Sequence, residues 1–589
     1  MRLLAKIYGL AYNVNLRRAR IFFTIKKRRG GFLSDILTPV SLWKNFDDTL
    51  ETMPVTLGEI VDDGVKFEYV NFSGRDTGMG RVTIYGVLAV KELNPSKECV
   101  LILRDTSEEI DEDLLAYFVK CGYSALCVDY AGERNGIDRY TQYPANVSYA
   151  NAANCGRYKD YVDFTATQTS WYEWVAVGIY SRKYLAEKMN TQDIGLVGFR
   201  DGGEIAWKLA CVKQFSCAVT ISACGWKAYK GLAKFHGKEP DFDDERYRFI
   251  AGVDSQSYAP YVKCPVLILC TTNDPRFDCD RAYDTFSRIN PDFSRQSSIS
   301  YSVNCGGKID YRSTNDLFMF LDSYVKDRHV FMPRPAEVEV CADEDGNLIA
   351  RVSFDSLGII EKCGVYFAED NFDFATRDWA SANLKKVVNS HESEYFLNVY
   401  EKSCAVFVLC YAIYSNGFTV WSKLTLKKIG GLFKNSVAKS KIIYTTKFGT
   451  ECFSIADCSE TSVGGALLTD GNVLPKIVKL EGLTGLSSPC GLMTNRIKSL
   501  RYCPDKDSIL KMDVCSENDI TLDVELFNVD DGENYSVKLY VLGGIWQSLT
   551  LRAKIFKNKN GISLIDFTKC EKLSVIGSES FAINNLIWL

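Results

Sequence analysis

Short apolar runs alternate with longer amphipathic segments between Val65 and Lys326. The runs predict buried strands at Val100–Leu103, Ser124–Val128, Ile194–Gly198, Ala218–Ser222, Val266–Cys270 and Ser298–Val303. The segments between them predict helices at Glu109–Cys121, Ser170–Met189, Gly203–Val212, Arg281–Arg288 and Ser313–Lys326. Buried strands that alternate with helices are typical of a doubly wound, mostly parallel sheet, so the chain is predicted to contain an α/β domain.

The α/β domain is predicted over residues 56–332, behind a basic N-terminal segment of residues 1–55. Residues 226–260 interrupt the alternation after the strand at Ala218–Ser222. In a parallel sheet, an insertion at this point overhangs the carboxyl ends of the strands, where ligands bind. We therefore interpret residues 226–260 as a lid-like insertion.

The pattern changes to alternating apolar and polar residues after Pro333 and Pro335. Residues 333–430 are predicted to form a small immunoglobulin- or fibronectin-like β-sandwich, and Asn416-Gly417 is a strong hairpin signal within it. Residues 442–589 contain further strand-like runs and are predicted to form a jelly roll. Two all-β sandwich domains are thus expected to follow the α/β domain.

Composition narrows the classes of function. The 589 residues carry a formal net charge of -4, which gives no reason to expect nucleic acid as a partner. The 21 cysteines are scattered without any Cys-x-x-Cys pair, which favours reduced thiols and a cytoplasmic location. With only 3 histidines, no metal site and no cofactor are expected. No apolar run is long enough to predict a membrane-spanning helix.

The N-terminal segment has two interpretations. Basic residues recur between Arg2 and Arg29, and apolar residues recur among them at helical spacing. One interpretation is a helix that lies on an anionic membrane surface, which would place the protein peripherally at the inner membrane. The other is a lead-in helix that packs on the next domain and keeps its charges in solvent, and this one is favoured.

One stretch carries most of the chemical information. A predicted strand at Ile194–Gly198 runs into Phe199-Arg200-Asp201-Gly202-Gly203 and then into a predicted helix. This is the layout of a nucleophile elbow, Gly-x-Ser-x-Gly, in which glycines are needed because the turn is tight. Gly198 and Gly202 fit that pattern, but the central position is Arg200.

At this point the chain resembles the α/β-hydrolases of the acetyl xylan esterase and dienelactone hydrolase type. Besides the elbow, the resemblance is carried by stretches around Asp129, Tyr143, Trp171, Asp274 and Gly307. The resemblance covers less than half of the chain. It implies an α/β-hydrolase fold for residues 56–332, followed in some bacterial relatives by a small β-sandwich. The final region resembles galactose-binding-like, carbohydrate-binding modules.

The resemblance also implies where the catalytic triad would fall. The family's serine corresponds to Arg200, its acid to Asp274 and its histidine to a position on or near Gly307. Arginine stays protonated and offers only hydrogen-bond donors, and glycine has no base. Since a hydrolase needs both a nucleophile and a base to take its proton, the triad is predicted to be degenerate.

Two residues are weak candidates to replace the missing groups. His236 lies in the insertion and could reach the cleft as a base, whereas His329 and His391 lie after the α/β elements. Asp201 could act as a carboxylate nucleophile, but pairing with Arg200 or capping of the following helix is favoured. Cys224 is expected to be a packed thiol. Arg104-Asp105-Thr106 replaces a glycine-rich turn, so no preformed oxyanion hole is expected.

Ligand-binding candidates follow from the same residues. Arg200, flanked by Asp201 and Asp274, could bind a small acidic ligand, although a pocket closed by those carboxylates is favoured. In the last region, Trp546 and Tyr535 could stack on a sugar, although a core role is the more common one for such residues.

Two functions therefore remain. The favoured one is a non-catalytic binding or scaffold protein for glycans or envelope-polymer precursors; the alternative is a carboxylic-ester hydrolase with a non-standard catalytic set.

Overall fold

The computed structural model describes residues 36–235, 240–305, 308–328, 330–456, 474–489 and 491–589, and the backbone of 462–463 and 468–469. The predictions made for His236, Gly307, His329 and the basic residues 2–29 lie outside the described residues. Among the described residues, no helix is both long enough and apolar enough to cross a membrane.

A nine-stranded sheet forms the centre of the first region. Its strands are β1 Val55–Asp62, β2 Val65–Asp76, β3 Arg81–Lys91, β4 Cys99–Leu103, β5 Ser124–Val128, β6 Ile194–Phe199, β7 Cys217–Ile221, β8 Val266–Thr271 and β9 Ser298–Ser302. They lie in the order β1-β2-β3-β5-β4-β6-β7-β8-β9. Strands β1 to β3 and the β3–β5 pair are antiparallel, and all later pairs are parallel.

Helices cover this sheet and connect its parallel strands. They are α1 Pro39–Trp43, α2 Glu112–Lys120, α3 Gly156–Asp160, α4 Ser170–Met189, α5 Asp201–Val212, α6 Asp244–Gly252, α7 Cys279–Phe286, α8 Pro291–Ser294 and α9 Tyr311–Tyr324. Helix α4 has the predicted bounds because both of its ends are signalled locally. The Thr169 hydroxyl accepts from the Tyr172 amide at 3.2 Å, and Asn190 ends the helix in the left-handed conformation.

The rest of the described chain consists largely of antiparallel sheets. Residues 337–428 contain β10 Glu337–Ala342, β11 Leu348–Ser353, β12 Ile360–Glu369, β13 Ala380–Ser381, β14 Asn383–Asn389, β15 Glu392–Phe396, β16 Ala405–Tyr414, β17 Thr419–Trp421 and β18 Thr425–Lys428. These strands form one sheet in the order β10-β11-β15-β14 and a second in the order β13-β12-β16-β17, with β18 also on β16. An α/β region followed by β-sheet regions is the order that the sequence predicted.

A second β region closes the chain. Its strands are β19 Ile442–Tyr444, β20 Ser454–Ile455, β21 Ser462–Val463, β22 Leu468–Thr469, β23 Lys476–Leu480, β24 Leu483–Ser487, β25 Leu492–Thr494, β26 Leu510–Ser516, β27 Ile520–Asn528, β28 Glu533–Val541, β29 Gln547–Leu551, β30 Cys570–Gly577 and β31 Phe581–Trp588. One sheet has the order β23-β24-β31-β26-β29, with β19 also on β31, and a facing sheet has the order β20-β25-β30-β27-β28.

The first β region is packed firmly on the α/β region. Two apolar cores cross their boundary: one joins Trp379 and Phe407 to residues of the α/β region such as Tyr301, and the other joins Val420 to Phe320. The last β region has a core of its own, built around β26 and β27. Burial across the first boundary fixes the first β region relative to the sheet that carries the elbow.

Candidate functional site

The turn at Arg200 has the strained geometry of an elbow. Arg200 lies between β6 and α5 with φ 50° and ψ -113°, a backbone conformation that costs an ordinary side chain of order 1–3 kcal/mol. The turn can close only because its glycines lack side chains. A Cβ on Gly203 would lie 2.6 Å from the Cβ of Ala223, and a Cβ on Gly202 would overlap the Leu103 carbonyl oxygen. The backbone is therefore that of a nucleophile elbow, although its central side chain is a guanidinium.

The Arg200 side chain is bound to the acid predicted for the triad. Its Nη1 donates to Asp274 Oδ2 at 2.6 Å, and only 15% of the Arg200 side chain and 1% of the Asp274 side chain are exposed. The other oxygen of Asp274 accepts from the Arg276 amide at 2.9 Å. Asp274 is thus engaged through both oxygens, and one of them forms an ion pair with the side chain at the centre of the elbow.

Asp201 is held by two lysines. Lys159 Nζ lies 2.6 Å from its Oδ2, Lys227 Nζ lies 2.8 Å from its Oδ1, and the Thr106 hydroxyl donates to it at 2.8 Å. Burial alone would raise the pKa of Asp201, but the charges of Lys227 and Lys159 outweigh burial and hold that pKa well below its usual range. A carboxylate stabilised in this way is a poor base and a poor nucleophile. Asp201 thus pairs with these two lysines and not with Arg200, the partner suggested from the sequence.

A carboxylate also occupies the expected oxyanion position. In hydrolases with this elbow, the backbone amide after the nucleophile donates to the oxyanion. Here that amide belongs to Asp201, and it donates to Asp105 Oδ1 in a long hydrogen bond of 3.4 Å. Asp105 is fully buried and its other oxygen lies 2.5 Å from Arg276 Nη2. A fixed negative charge beside this amide would repel a developing oxyanion.

The described residues provide no imidazole at the elbow. His391 is the one histidine within the described ranges, and it lies in the first β region. Its Nδ1 is 2.8 Å from Ser390 Oγ, and its Nε2 is 3.1 Å from the Gly358 carbonyl oxygen. Cys224 is buried, and burial raises the pKa of its thiol well above the usual value, as expected for a packed cysteine. No group of acidic, cysteine or histidine side chains in the described part of the chain could hold a metal ion.

Several of these residues carried no signal in the sequence. Lys159 comes from α3, and Lys227 comes from the segment 226–260, which therefore reaches the elbow with a charged side chain. Arg276 follows Asp274 by two residues in an ordinary turn. Nothing in their local pattern distinguishes them from solvated surface charges, so their convergence on the elbow could be seen only in three dimensions.

The loops around the elbow are held by one segment of the first β region, Thr376–Trp379. Arg377 forms a two-point ion pair with Asp280 of α7, and both side chains are 0% exposed. The Arg377 carbonyl accepts from Asn273 Nδ2 at 2.8 Å, directly beside Asp274. Asn304, which follows β9, donates to the Trp379 carbonyl at 2.8 Å. The loops after β8 and β9 are thus fixed from outside the sheet.

The same segment also contacts the last β region. Asp378 Oδ2 accepts from Arg496 Nε at 2.9 Å, and Arg496 is almost completely buried. Segment Thr376–Trp379 therefore links all three parts of the chain through buried charged groups.

A buried lysine beneath the elbow makes stability depend on pH. Lys208 of α5 is 2% exposed, donates to Ser255 Oγ at 3.1 Å and lies over the Trp171 ring at 4.9 Å. Burial lowers the pKa of Lys208 to about 8, although the carboxylates of Glu204 and Asp254 oppose this effect. In the unfolded chain its pKa is the ordinary 10.5.

Between those two pKa values, the unfolded chain holds a proton that the folded protein has released, so this group makes stability rise with pH from about 8 to 10.5. Lys208→Met removes the titration and keeps an unbranched side chain on Trp171. We expect the unfolding temperature of the wild type, relative to Lys208→Met, to increase over this window. Lys263→Met, at an exposed lysine, serves as the control. A difference that is constant with pH would contradict the assignment.

The two sugar-stacking candidates lie apart. Trp546 lines a cavity of about 210 Å³ together with Asp513, Asn584 and Asn585. Tyr535 is on β28 in the facing sheet, is 4% exposed, and donates to Asp531 Oδ2 at 2.6 Å. The structure thus brings Trp546, but not Tyr535, to this cavity.

Comparison with known proteins finds only weak similarity. No family model matches the chain, and no curated protein matches it. Among solved structures, an acetyl xylan esterase from Paenibacillus sp. R4 has a TM-score of 0.35 at 13% identity, covering 49% of this chain and 92% of that one. Acetyl xylan esterase 1 from Thermoanaerobacterium sp. JW/SL YS485 has a TM-score of 0.34 at 13% identity, covering 47% and 89%.

A protein from Klebsiella pneumoniae subsp. pneumoniae MGH 78578 described as a dienelactone hydrolase has a TM-score of 0.30 at 13% identity, covering 44% of this chain and 98% of that one. Similarity at this level carries no information on activity. The strand order and the strained turn at Arg200 define an α/β-hydrolase-like region in their own right.

Proposed function

We propose that this protein is a catalytically degenerate α/β-hydrolase-fold protein that acts as a binding or scaffold protein. The observation that carries the proposal is the 2.6 Å ion pair between Arg200 and Asp274, the residues that the resemblance assigns to the nucleophile and the triad acid. A guanidinium cannot attack a carbonyl, and the acid that would orient a base is paired with that guanidinium instead. Loss of these members costs a hydrolase several orders of magnitude in rate.

The surroundings of the elbow support closure rather than a reused pocket. An acidic ligand that took the place of Asp274 on Arg200 would leave the buried Asp274 carboxylate without this partner, and one that took the place of Asp201 on Lys159 or Lys227 would do the same to Asp201. Removing one partner of a buried pair leaves an uncompensated charge, so such a displacement is unfavourable. A ligand is therefore expected to bind away from the elbow.

The links between regions support a scaffold role. Arg377 and Asp378 are consecutive residues, and they pair with Asp280 of the α/β region and Arg496 of the last β region. Because these pairs are buried, the three regions are held in one arrangement rather than joined by free linkers. Such an arrangement suits a protein that presents binding surfaces at fixed separation.

Hydrolysis of 4-nitrophenyl acetate by the full chain tests this proposal. The wild type, Asp274→Ala and Arg200→Ser are all expected to show no catalytic turnover beyond the stoichiometric acylation of surface amines. Arg200→Ser restores a hydroxyl at the elbow but leaves it without a base among the described residues. Wild-type turnover that Asp274→Ala lowers would overturn the proposal and favour an ester hydrolase with a non-standard catalytic set.

A further inference from the structure

A short hairpin, residues 552–565, extends the edge of the sheet that contains β28. Lys557 is opposite Ser536 of β28 on one side and opposite Ser563 on the other. The turn between the two arms is closed by Asn558, whose side-chain oxygen accepts from two backbone amides at 3.0 Å. The hairpin is therefore a fixed extension of the sheet, and its exposed side chains are held in place by it.

Two buried residues decide which side chains of the hairpin face solvent. Phe556 and Leu564 lie in the core of the last β region, and the Leu564 amide donates to the Phe556 carbonyl oxygen at 2.9 Å. The residues next to them point the other way, so Ile565 is 90% exposed and Ile555 is 37% exposed. Isoleucine is among the residues most often buried, so an almost fully exposed one on a fixed hairpin marks an interaction surface.

The same hairpin carries an excess of positive charge. Residues 552–565 include no acidic residue, and their exposed basic residues are Arg552, Lys554, Lys557 and Lys559. Lys559 lies 3.1 Å from Glu533, in the turn before β28. The other three basic side chains form no ion pair with any residue that the structure describes. Three cations are therefore available to a partner.

Acidic groups border this surface without neutralising it. Asp566, next to Ile565, accepts hydrogen bonds from the backbone amide and the hydroxyl of Thr568 at 2.9 Å and 2.6 Å. On the neighbouring strands, Asp523 of β27 is directly opposite Lys538 of β28, so these two charges balance each other. The hairpin thus presents an exposed aliphatic side chain among unpaired cations.

This combination matches the chemistry of an anionic lipid surface. A second copy of the chain would bring like charges together, which is unfavourable. A nucleic acid would attract the cations but would leave Ile565 without an apolar partner, since its bases stack on aromatic side chains. An anionic membrane offers phosphate groups to the cations and an apolar layer to the isoleucine.

We propose that the hairpin of residues 552–565 docks on an anionic lipid membrane. Ile565 enters the interfacial layer, and Arg552, Lys554 and Lys557 lie at the lipid phosphates. The contact is weak and sensitive to salt, because exposed charges are screened by ions. The hairpin lies in the last β region, apart from the elbow and from residues 2–29, so the proposal rests neither on the proposed function nor on the N-terminal segment.

Co-sedimentation of the full chain with vesicles tests this proposal. The wild type is expected to bind vesicles of equal parts phosphatidylcholine and phosphatidylglycerol more tightly than vesicles of phosphatidylcholine alone, and to release them at about 1 M salt. Lys554→Glu combined with Lys557→Glu is expected to weaken binding by about tenfold or more, since each basic residue contributes near an anionic surface. Ile565→Asp is expected to weaken it by about tenfold.

Matched controls come from the first β region. Lys402→Glu combined with Lys428→Glu reverses two exposed lysines, and Leu432→Asp replaces an aliphatic side chain that is 79% exposed. Both controls should bind as the wild type does. Hydrogen exchange supplies a local readout: the backbone amides of the hairpin are expected to exchange more slowly on the anionic vesicles than in solution.

Four results would each overturn the proposal. The wild type could fail to prefer the anionic vesicles. The hairpin variants, with wild-type unfolding temperatures, could bind as the wild type does. The hairpin amides could gain no protection, which would place the membrane contact elsewhere on the chain. Finally, duplex DNA could bind more tightly than the vesicles, through the same lysines and without a contribution from Ile565.

Discussion

Replacing Arg377 with alanine is expected to destabilise the protein by about 3–5 kcal/mol, because it leaves the Asp280 carboxylate buried without a partner. Both side chains are 0% exposed, the guanidinium makes two hydrogen bonds to the carboxylate, and it lies 3.8 Å from the Phe407 ring centroid. The measurement is the midpoint of urea unfolding, monitored with one probe in the α/β region and a second probe in the β regions. Both signals are expected to shift, since this pair joins the two kinds of region.

A double variant separates the loss of a contact from the cost of a stranded charge. Arg377→Met combined with Asp280→Leu removes both charges, so it is expected to be much less destabilised than either single alanine variant. Lys439→Ala breaks the exposed pair with Asp505 and serves as the matched control, with little expected change. Equal destabilisation by Arg377→Ala and Lys439→Ala would show that the buried pair does not hold the regions together.

Gly202→Ala is expected to destabilise the protein by about 1–3 kcal/mol or more, because overpacking against backbone cannot be relieved by a side-chain rotation. An added Cβ would overlap the carbonyl oxygen of Leu103 and would lie close to that of Arg104. These carbonyls end β4, so the strain would pass directly into the central sheet. The thermal unfolding midpoint of the full chain measures the effect.

Gly58→Ala is the matched control for this variant, because Gly58 of β1 has nothing within 4 Å of an added Cβ. We expect Gly58→Ala to unfold at the wild-type temperature or slightly above it, since alanine narrows the unfolded ensemble. If Gly202→Ala has the same unfolding temperature as Gly58→Ala, the elbow is not as tightly packed as the contacts of Gly202 require.

The elements of the α/β region could be predicted where the signal is local. The strand at Ser124–Val128 has the predicted bounds because all five residues are buried in the interior of the sheet and form one largely apolar run. Strand β1 was not predicted, since every one of its residues is exposed and no alternation of burial marks it. Strands β2 and β3 at the same edge of the sheet were not predicted either, although most of their residues are buried.

The candidate site could be predicted only as far as its backbone. Gly198 and Gly202 signal a tight turn, so the position of Arg200 follows from neighbours in the chain. Which carboxylate meets that arginine does not, because Asp201 is adjacent in sequence whereas Asp274 is 74 residues away. Lys159 and Lys227 neutralise Asp201, and Arg200 pairs with Asp274 instead. Pairing between charges that are distant in the sequence leaves no periodic pattern along the chain.

The cavity beside Trp546 illustrates the same limit. The sequence marks Trp546 and Tyr535 equally as aromatic residues of a strand-rich region. Only the sheet order separates them, and only the bulge at Asn585 explains why two consecutive asparagines face one cavity. Register and bulges depend on pairing between distant strands, so they could not be read from local pattern.

The closed elbow is tested most directly by the intact mass of the full chain after incubation with a serine-reactive fluorophosphonate. An activated hydroxyl would be phosphonylated once per molecule, whereas an ordinary hydroxyl does not react with the reagent during the incubation. The Arg200–Asp274 pair predicts an unmodified mass for the wild type. A one-to-one adduct that Asp274→Ala prevents would contradict it, because that result would require an activated nucleophile that depends on Asp274.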